Sequence, residues 1–160
     1  MSPHPQARFM HLAIDAVRRQ LHAQPGGPFG ACIVQGERVL AVAHNTVLAE
    51  HDPTCHAEVN AIRAAARTLG SHQLAGCTIY STTEPCPMCF SAIHWAGLEQ
   101  IVFGTRIADV ARLGFRELTV DNATLKRLGG SPVDIIPDFL REPCLALLED
   151  WAALPDRIPY

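Results

Sequence analysis

Two short clusters, His56-Ala57-Glu58 and Pro85-Cys86-Pro87-Met88-Cys89, constrain this chain more than anything else in it. They read H-x-E and P-C-x-x-C, and supply one imidazole, two thiols and one spare carboxylate. A zinc ion that only braces a fold normally takes four protein ligands. One that does chemistry takes three and keeps a position for water. The fold therefore has to carry two distant segments to one point and leave one side of that point open.

Local geometry supports the meeting. His56 is expected in the first turn of one helix, and Cys86 and Cys89, three apart and so on one face, in the first turn of another. The partial positive charge at a helix start favours thiolates. Two thiolates formally cancel the charge of Zn²⁺, and sulfur with imidazole suits zinc better than magnesium or calcium. Glu58, two residues past His56, turns away from the ligand direction and is expected to border the fourth position as a proton carrier. A carboxylate beside apolar walls has its pKa raised, which suits that task. A lone histidine or a lone C-x-x-C carries little, but the combination points to a catalytic metal. Cys55 adjoins His56 but points about 100° away on a helix, so it is not expected to be a ligand. Cys32, Cys77 and Cys144 read as small core residues. The remaining histidines, His4, His11, His22, His44, His51, His72 and His94, read as surface or packing residues.

Composition bounds the rest. The chain has 160 residues, of which 48% are hydrophobic and 18% charged, enough for one domain with a sizeable core. The expected organisation is a single domain over residues 1–160. No stretch approaches a membrane span of about 20 apolar residues. Residues 1–20 carry Arg8, Asp15, Arg18 and Arg19 and lack a secretory leader's core, so they read as a helix of the mature protein. Six cysteines without a leader fit metal binding and free thiols in a reducing cytoplasm better than a disulfide scaffold. The net charge is −3, and the arginines are scattered rather than drawn into a phosphate-tracking stripe, which argues against a nucleic-acid partner.

Apolar Phe9, Leu12, Ala13, Ala16, Val17 and Leu21 predict an amphipathic helix over 5–23, broken at Gln24-Pro25-Gly26-Gly27-Pro28. Residues 31–34 and 39–43 predict a hairpin of two strands. A helix is expected from Asp52-Pro53-Thr54 to Leu69, stopped at Gly70. A strand over 78–81, a helix over 86–96 with Pro87 in its first turn, and a strand over 100–104 follow. A short helix over 108–113, a strand over 133–136 and a helix over 142–153 complete the pattern, while 118–131 shows none. Strands alternating with helices predict an α/β sheet covered on its faces.

On these residues the chain resembles the cytidine deaminase superfamily, in its nucleobase and tRNA-adenosine branch, from about Gly26 to Thr119. Within the branch it is most similar to bacterial guanine deaminases. The likeness is carried by Gly26-Gly27-Pro28-Phe29-Gly30-Ala31, Asp52-Pro53-Thr54-Cys55-His56-Ala57-Glu58-Val59, Glu84 to Cys89, Ala92-Ile93-His94-Trp95-Ala96 and Gly114-Phe115. The resemblance implies a three-layer α-β-α fold around a five-stranded mixed sheet, a homodimer, and one Zn²⁺ per chain. It implies hydrolytic deamination of a small nucleobase, guanine to xanthine and ammonia. His56, Cys86 and Cys89 fall on the metal ligands and Glu58 on the proton shuttle. Asn45 falls on an asparagine that hydrogen-bonds the base, Phe29 on an aromatic that stacks on it, Ala57 on a backbone N–H for the substrate carbonyl, and Trp95 on a pocket aromatic. Guanine deaminases of this type can exchange C-terminal segments and end in a tyrosine that closes the partner's site, here Tyr160. After Gly114-Phe115 they carry an acidic residue that reads the purine amino edge; here Arg116 comes first and Glu117 follows.

The alternatives of the same fold are cytosine, a nucleoside or an aminated triazine as substrate. The stretches 133–136 and 144–148 look more like tRNA adenosine deaminases, whose usual basic tail is replaced by Asp156-Arg157-Ile158-Pro159-Tyr160. A purely structural zinc module would need a fourth protein ligand, and no well-placed candidate stands in the sequence.

Overall fold

Period-two alternation along the strands divides the core into two halves, one on each face of a sheet. The computed structural model describes residues 4–23 and 26–160. The sheet has five strands: β1 (Gly30–Gln35), β2 (Arg38–His44), β3 (Cys77–Thr83), β4 (Gln100–Thr105) and β5 (Asp134–Ile136), in the order β2-β1-β3-β4-β5. β1 runs antiparallel to β2 and β3, and β3, β4 and β5 run parallel, so the sheet is mixed as expected. Ala31, Ile33, Ile79, Ile101 and Phe103 point to one face and pack beneath α3 (Ala57–Leu69) and α4 (Pro87–Ala96). Their neighbours Cys32, Val34, Tyr80 and Val102 point to the other, beneath α1 (Ala7–Gln20) and α7 (Arg141–Ala152). The result is a three-layer α-β-α arrangement.

The helices stop where the sequence signals them: Gly70 and Gly97 end α3 and α4 in the left-handed conformation, at φ 64° and 69°. The remaining helices are short: α2 (Val47–Glu50), α5 (Ile107–Ala111) and α6 (Asn122–Gly129). Two of them differ from expectation. The segment from Asp52 is not helical, because Asp52 Oδ1 accepts from the Thr54 N–H and hydroxyl at 2.8 and 2.7 Å and closes a side-chain turn. The helix begins only at Ala57, and α2 lies before the turn. In the unpatterned stretch, Asp121 accepts from the Thr124 N–H at 2.6 Å and caps α6. Of the expected break after α1, Gln24-Pro25 lies outside the described residues. All six cysteines are free, and Cys32, Cys77 and Cys144 are buried in the core.

The register decides where chemistry can sit. Gly30 pairs with His44, Ala31 with Ser81 and Thr83 with Thr105. The start of β1 and the ends of β2, β3 and β4 therefore share one rim of the sheet. α3 and α4 both begin at that rim.

Candidate metal centre and active site

His56 and Cys86 are the N-cap residues of α3 and α4, both in extended conformation just outside the first turn, and Cys89 sits one turn into α4. The two helix starts converge as the motif spacing required. His56 Nδ1 lies 3.6 Å from both Cys86 Sγ and Cys89 Sγ, and the three donor atoms all lie within 4.8 Å of one another. A tetrahedral zinc with ordinary Zn–N and Zn–S bonds would hold nitrogen and sulfur about 3.6 Å apart. The donor set and its spacing therefore fit zinc. Cys55 Sγ instead faces the Arg63 guanidinium at 3.4 Å and takes no part, as expected.

The three donors share protons among themselves. The Cys86 thiol is pulled down to about 4, chiefly by a hydrogen bond from Cys89 and then by one from His56. The same sharing pushes Cys89 well up, with burial adding to it. Burial alone would lower His56, but hydrogen bonding to Cys86 and the nearby acidic groups raise it.

Glu58 lies just behind the triad. It is buried, 6% exposed, with Oε2 3.5 Å from Cys89 Sγ and Oε1 3.0 Å from Ser81 Oγ. Burial raises its pKa, against the opposing pull of His56. The Ser81 hydroxyl also lies 2.6 Å from the Thr83 carbonyl, which can only accept. Its single hydrogen is shared between that carbonyl and Glu58 Oε1, and the bond to Glu58 favours the ionised carboxylate against the effect of burial.

His56, Cys86 and Glu58 open onto a cavity of about 380 Å³, within the range of small-molecule sites. Phe29, Phe115, Glu117 and Tyr160 form part of its wall. Phe29 and Tyr160 both meet Phe115 edge-on, at ring distances of 5.2 Å. Gly27 makes room for this grouping, because a Cβ there would lie 2.6 Å from the Phe29 ring and 2.6 Å from the Tyr160 hydroxyl.

Glu117 faces in while Arg116 is exposed at the rim. A three-residue turn, with the Glu117 N–H on the Phe115 carbonyl at 2.9 Å, reverses the chain between them. Burial, then the Cys86 charge, raises Glu117 to about 7. Glu84, which sequence reasoning did not single out, also lines the cavity. Its two oxygens accept from the Ile107 and Asn122 N–H groups at 3.2 and 2.9 Å, so it anchors α5 and α6 beside Cys86.

The other expected contacts fare unevenly. Asn45 is 1% exposed and stands behind the open wall, its N–H bonded to the Phe29 carbonyl at 3.0 Å and its Oδ1 accepting from the Val47 N–H at 3.1 Å. Its Nδ2 makes no close hydrogen bond and has the Tyr160 hydroxyl as a neighbour. Ala57 is fully buried at the head of α3, where helix amides lack intrahelical acceptors. Trp95 does not line the cavity within one chain: it is 83% exposed, on the outside of α4. It stands nine residues past Cys86, and at about 100° per residue that is the opposite side of the helix. Tyr160 was expected to close a partner's site; here it lines the cavity of its own chain, its carbonyl accepting from the Arg116 N–H at 2.9 Å.

Comparison with known proteins sharpens the picture. Residues 3–105 match the cytidine and deoxycytidylate deaminase zinc-binding region. A guanine deaminase of Bacillus subtilis is 42% identical over 107 residues, 67% of this chain and 69% of the relative. A tRNA-specific adenosine deaminase of Buchnera aphidicola is 29% identical over 138 residues, 85% of this chain and 88% of the relative. Among solved structures, a guanine deaminase from Nitrosomonas europaea superposes with a TM-score of 0.85 at 27% identity, covering 96% of this chain and 88% of that one.

Proposed function

This chain belongs to the cytidine and deoxycytidylate deaminase zinc-binding family, and from that premise we propose that it deaminates guanine to xanthine, releasing ammonia. One observation carries the proposal: three zinc-competent donor atoms meet beside a buried carboxylate outside the donor set, at the wall of an aromatic-lined cavity. The reaction class is hydrolytic removal of an amino group from a ring amidine. His56, Cys86 and Cys89 hold zinc, which when bound supplies Lewis acidity and lowers the pKa of water to about 7.

The chain's own groups do the rest. Glu58 accepts a proton from the attacking water and passes it to a ring nitrogen; it then takes the second proton from the newly formed ring hydroxyl and gives it to the departing amine. Water adds to the amino-bearing ring carbon, the carbon–nitrogen bond breaks, and the product keeps the oxygen as a carbonyl. The amide of Ala57 and the start of α3 face the developing negative charge. Phe29 stacks on the base and Tyr160 shuts the cavity over it. The side-chain amide of Asn45 donates to the base's acceptor edge, and ionised Glu117 accepts from its amino and ring N–H groups.

The whole chain serves as one deaminase domain, working in the cytoplasm in purine salvage. It pairs as a homodimer through the exposed apolar ground between α4 and α6, where Trp95 and Leu128 are 83% and 71% exposed. Among the described residues no helix is long and apolar enough to cross a membrane.

Ammonia release from guanine, adenine, cytosine, cytidine, guanosine, an aminated triazine and an anticodon stem-loop tests the substrate. Guanine should give the highest kcat/KM, with xanthine as product. Turnover of the stem-loop with none of guanine would assign the chain to RNA editing instead.

A further inference from the structure

The side chain of Asn60 makes a junction that neither the metal nor the cavity wall accounts for. Its Nδ2 lies 3.0 Å from the His44 carbonyl, 2.9 Å from Thr46 Oγ1 and 3.3 Å from the Cys55 carbonyl. His44 and Thr46 are the two neighbours of Asn45, and Cys55 immediately precedes His56. One amide therefore ties both flanks of Asn45 to the residue before a metal ligand. Two hydrogens serve three acceptors, so one of them is shared.

Both ends of this joint are firm. The Asn60 N–H donates to the His56 carbonyl at 2.9 Å, which fixes its backbone to the metal-bearing turn. On the far side the Thr46 N–H donates to the Cys55 carbonyl at 3.0 Å. The Asn45 amide is itself oriented through Oδ1, which leaves Nδ2 buried, with no close hydrogen bond and the cavity-lining Tyr160 hydroxyl as its neighbour.

We propose that Asn60 is a positioning residue. It sets the distance between the side-chain amide of Asn45 and the metal centre, and through that distance the affinity for the polar edge of the base. It touches neither substrate nor metal, and it deepens the reading of Asn45 as a base contact, on which it rests. Plain packing between a helix and a loop would instead change stability with no dependence on Asn45.

The test compares the zinc-loaded wild type with Asn60→Ala, Asn60→Leu, Asn45→Ala and the Asn45→Ala/Asn60→Ala double variant. Leucine keeps the bulk and removes the donors. Both Asn60 variants should raise KM for guanine about tenfold while kcat stays within about twofold. Zinc content should be unchanged. In the Asn45→Ala background, Asn60→Ala should cost less than about twofold more. A KM within twofold of wild type, or a full effect in the absence of Asn45, overturns the proposal.

Amide hydrogen exchange on the same ligand-free proteins is a readout that needs no substrate. Exchange over residues 44–56 should quicken in both Asn60 variants while α7 is unaffected. If the wild type turns over no guanine, the functional reading fails, and the exchange data still decide: unchanged protection over 44–56 shows that Asn60 holds nothing in place.

Discussion

In the proposed reaction, one cavity gives two carboxylates, Glu58 and Glu117, different tasks. Glu58 is buried at the wall of the cavity and its pKa is raised, which suits the proposed transfer of a proton between water, ring and amine. Glu58→Gln should lower kcat by about 10³ while metal analysis still finds zinc, because the side chain is no part of the donor set. Retention of wild-type turnover would remove Glu58 from the chemistry. Glu117 titrates near 7 because burial favours its neutral form. Only the ionised carboxylate accepts hydrogen bonds through both oxygens, so kcat/KM for guanine should fall as the pH drops below about 7 and level off above it. Glu117→Gln should flatten that limb and lower kcat/KM throughout; a pH–rate profile of the two proteins checks it.

Packing between elements sets what can be changed without touching the reaction. α7 lies against β4 so closely that a Cβ on Gly104 would come within 2.3 Å of Cys144 Sγ and 3.0 Å of the Thr82 carbonyl. Gly104→Ala should therefore cost about 1–3 kcal/mol, read as a lower midpoint in urea with an unchanged slope. The elements also show what sequence could reveal. His56, Glu58, Cys86 and Cys89 were legible because the chemistry depends on residue type at fixed spacing, and helix starts are marked by proline, glycine and polar caps. Trp95 stands away from the cavity of its own chain; its place in a motif says nothing of which side of α4 it occupies. Glu117 pointing inward depends on a three-residue turn, and the delayed start of α3 depends on a side-chain turn at Asp52. Both are local contests between hydrogen bonds that hydrophobic periodicity does not register. Asn60 escaped notice because its partners are two main-chain carbonyls and a hydroxyl, which leave no mark in residue order.

At the scale of the whole molecule, the metal triad links the starts of two neighbouring helices, α3 and α4, and so adds a cross-link to their packing. Binding to the folded state alone stabilises it by mass action. Chelation should therefore lower Tm by about 10 °C as well as abolish turnover, and stoichiometric zinc should restore both. An unchanged Tm after chelation would mean that the three donors grip nothing. All the groups assigned to the reaction stand at one rim of the sheet. The tip of the β1–β2 hairpin, where Gly36 takes φ 57° with open space around it, stands at the opposite rim. A tag, a fluorophore or an inserted partner module grafted at Gly36 would thus report on or tether the enzyme while leaving its reacting end untouched.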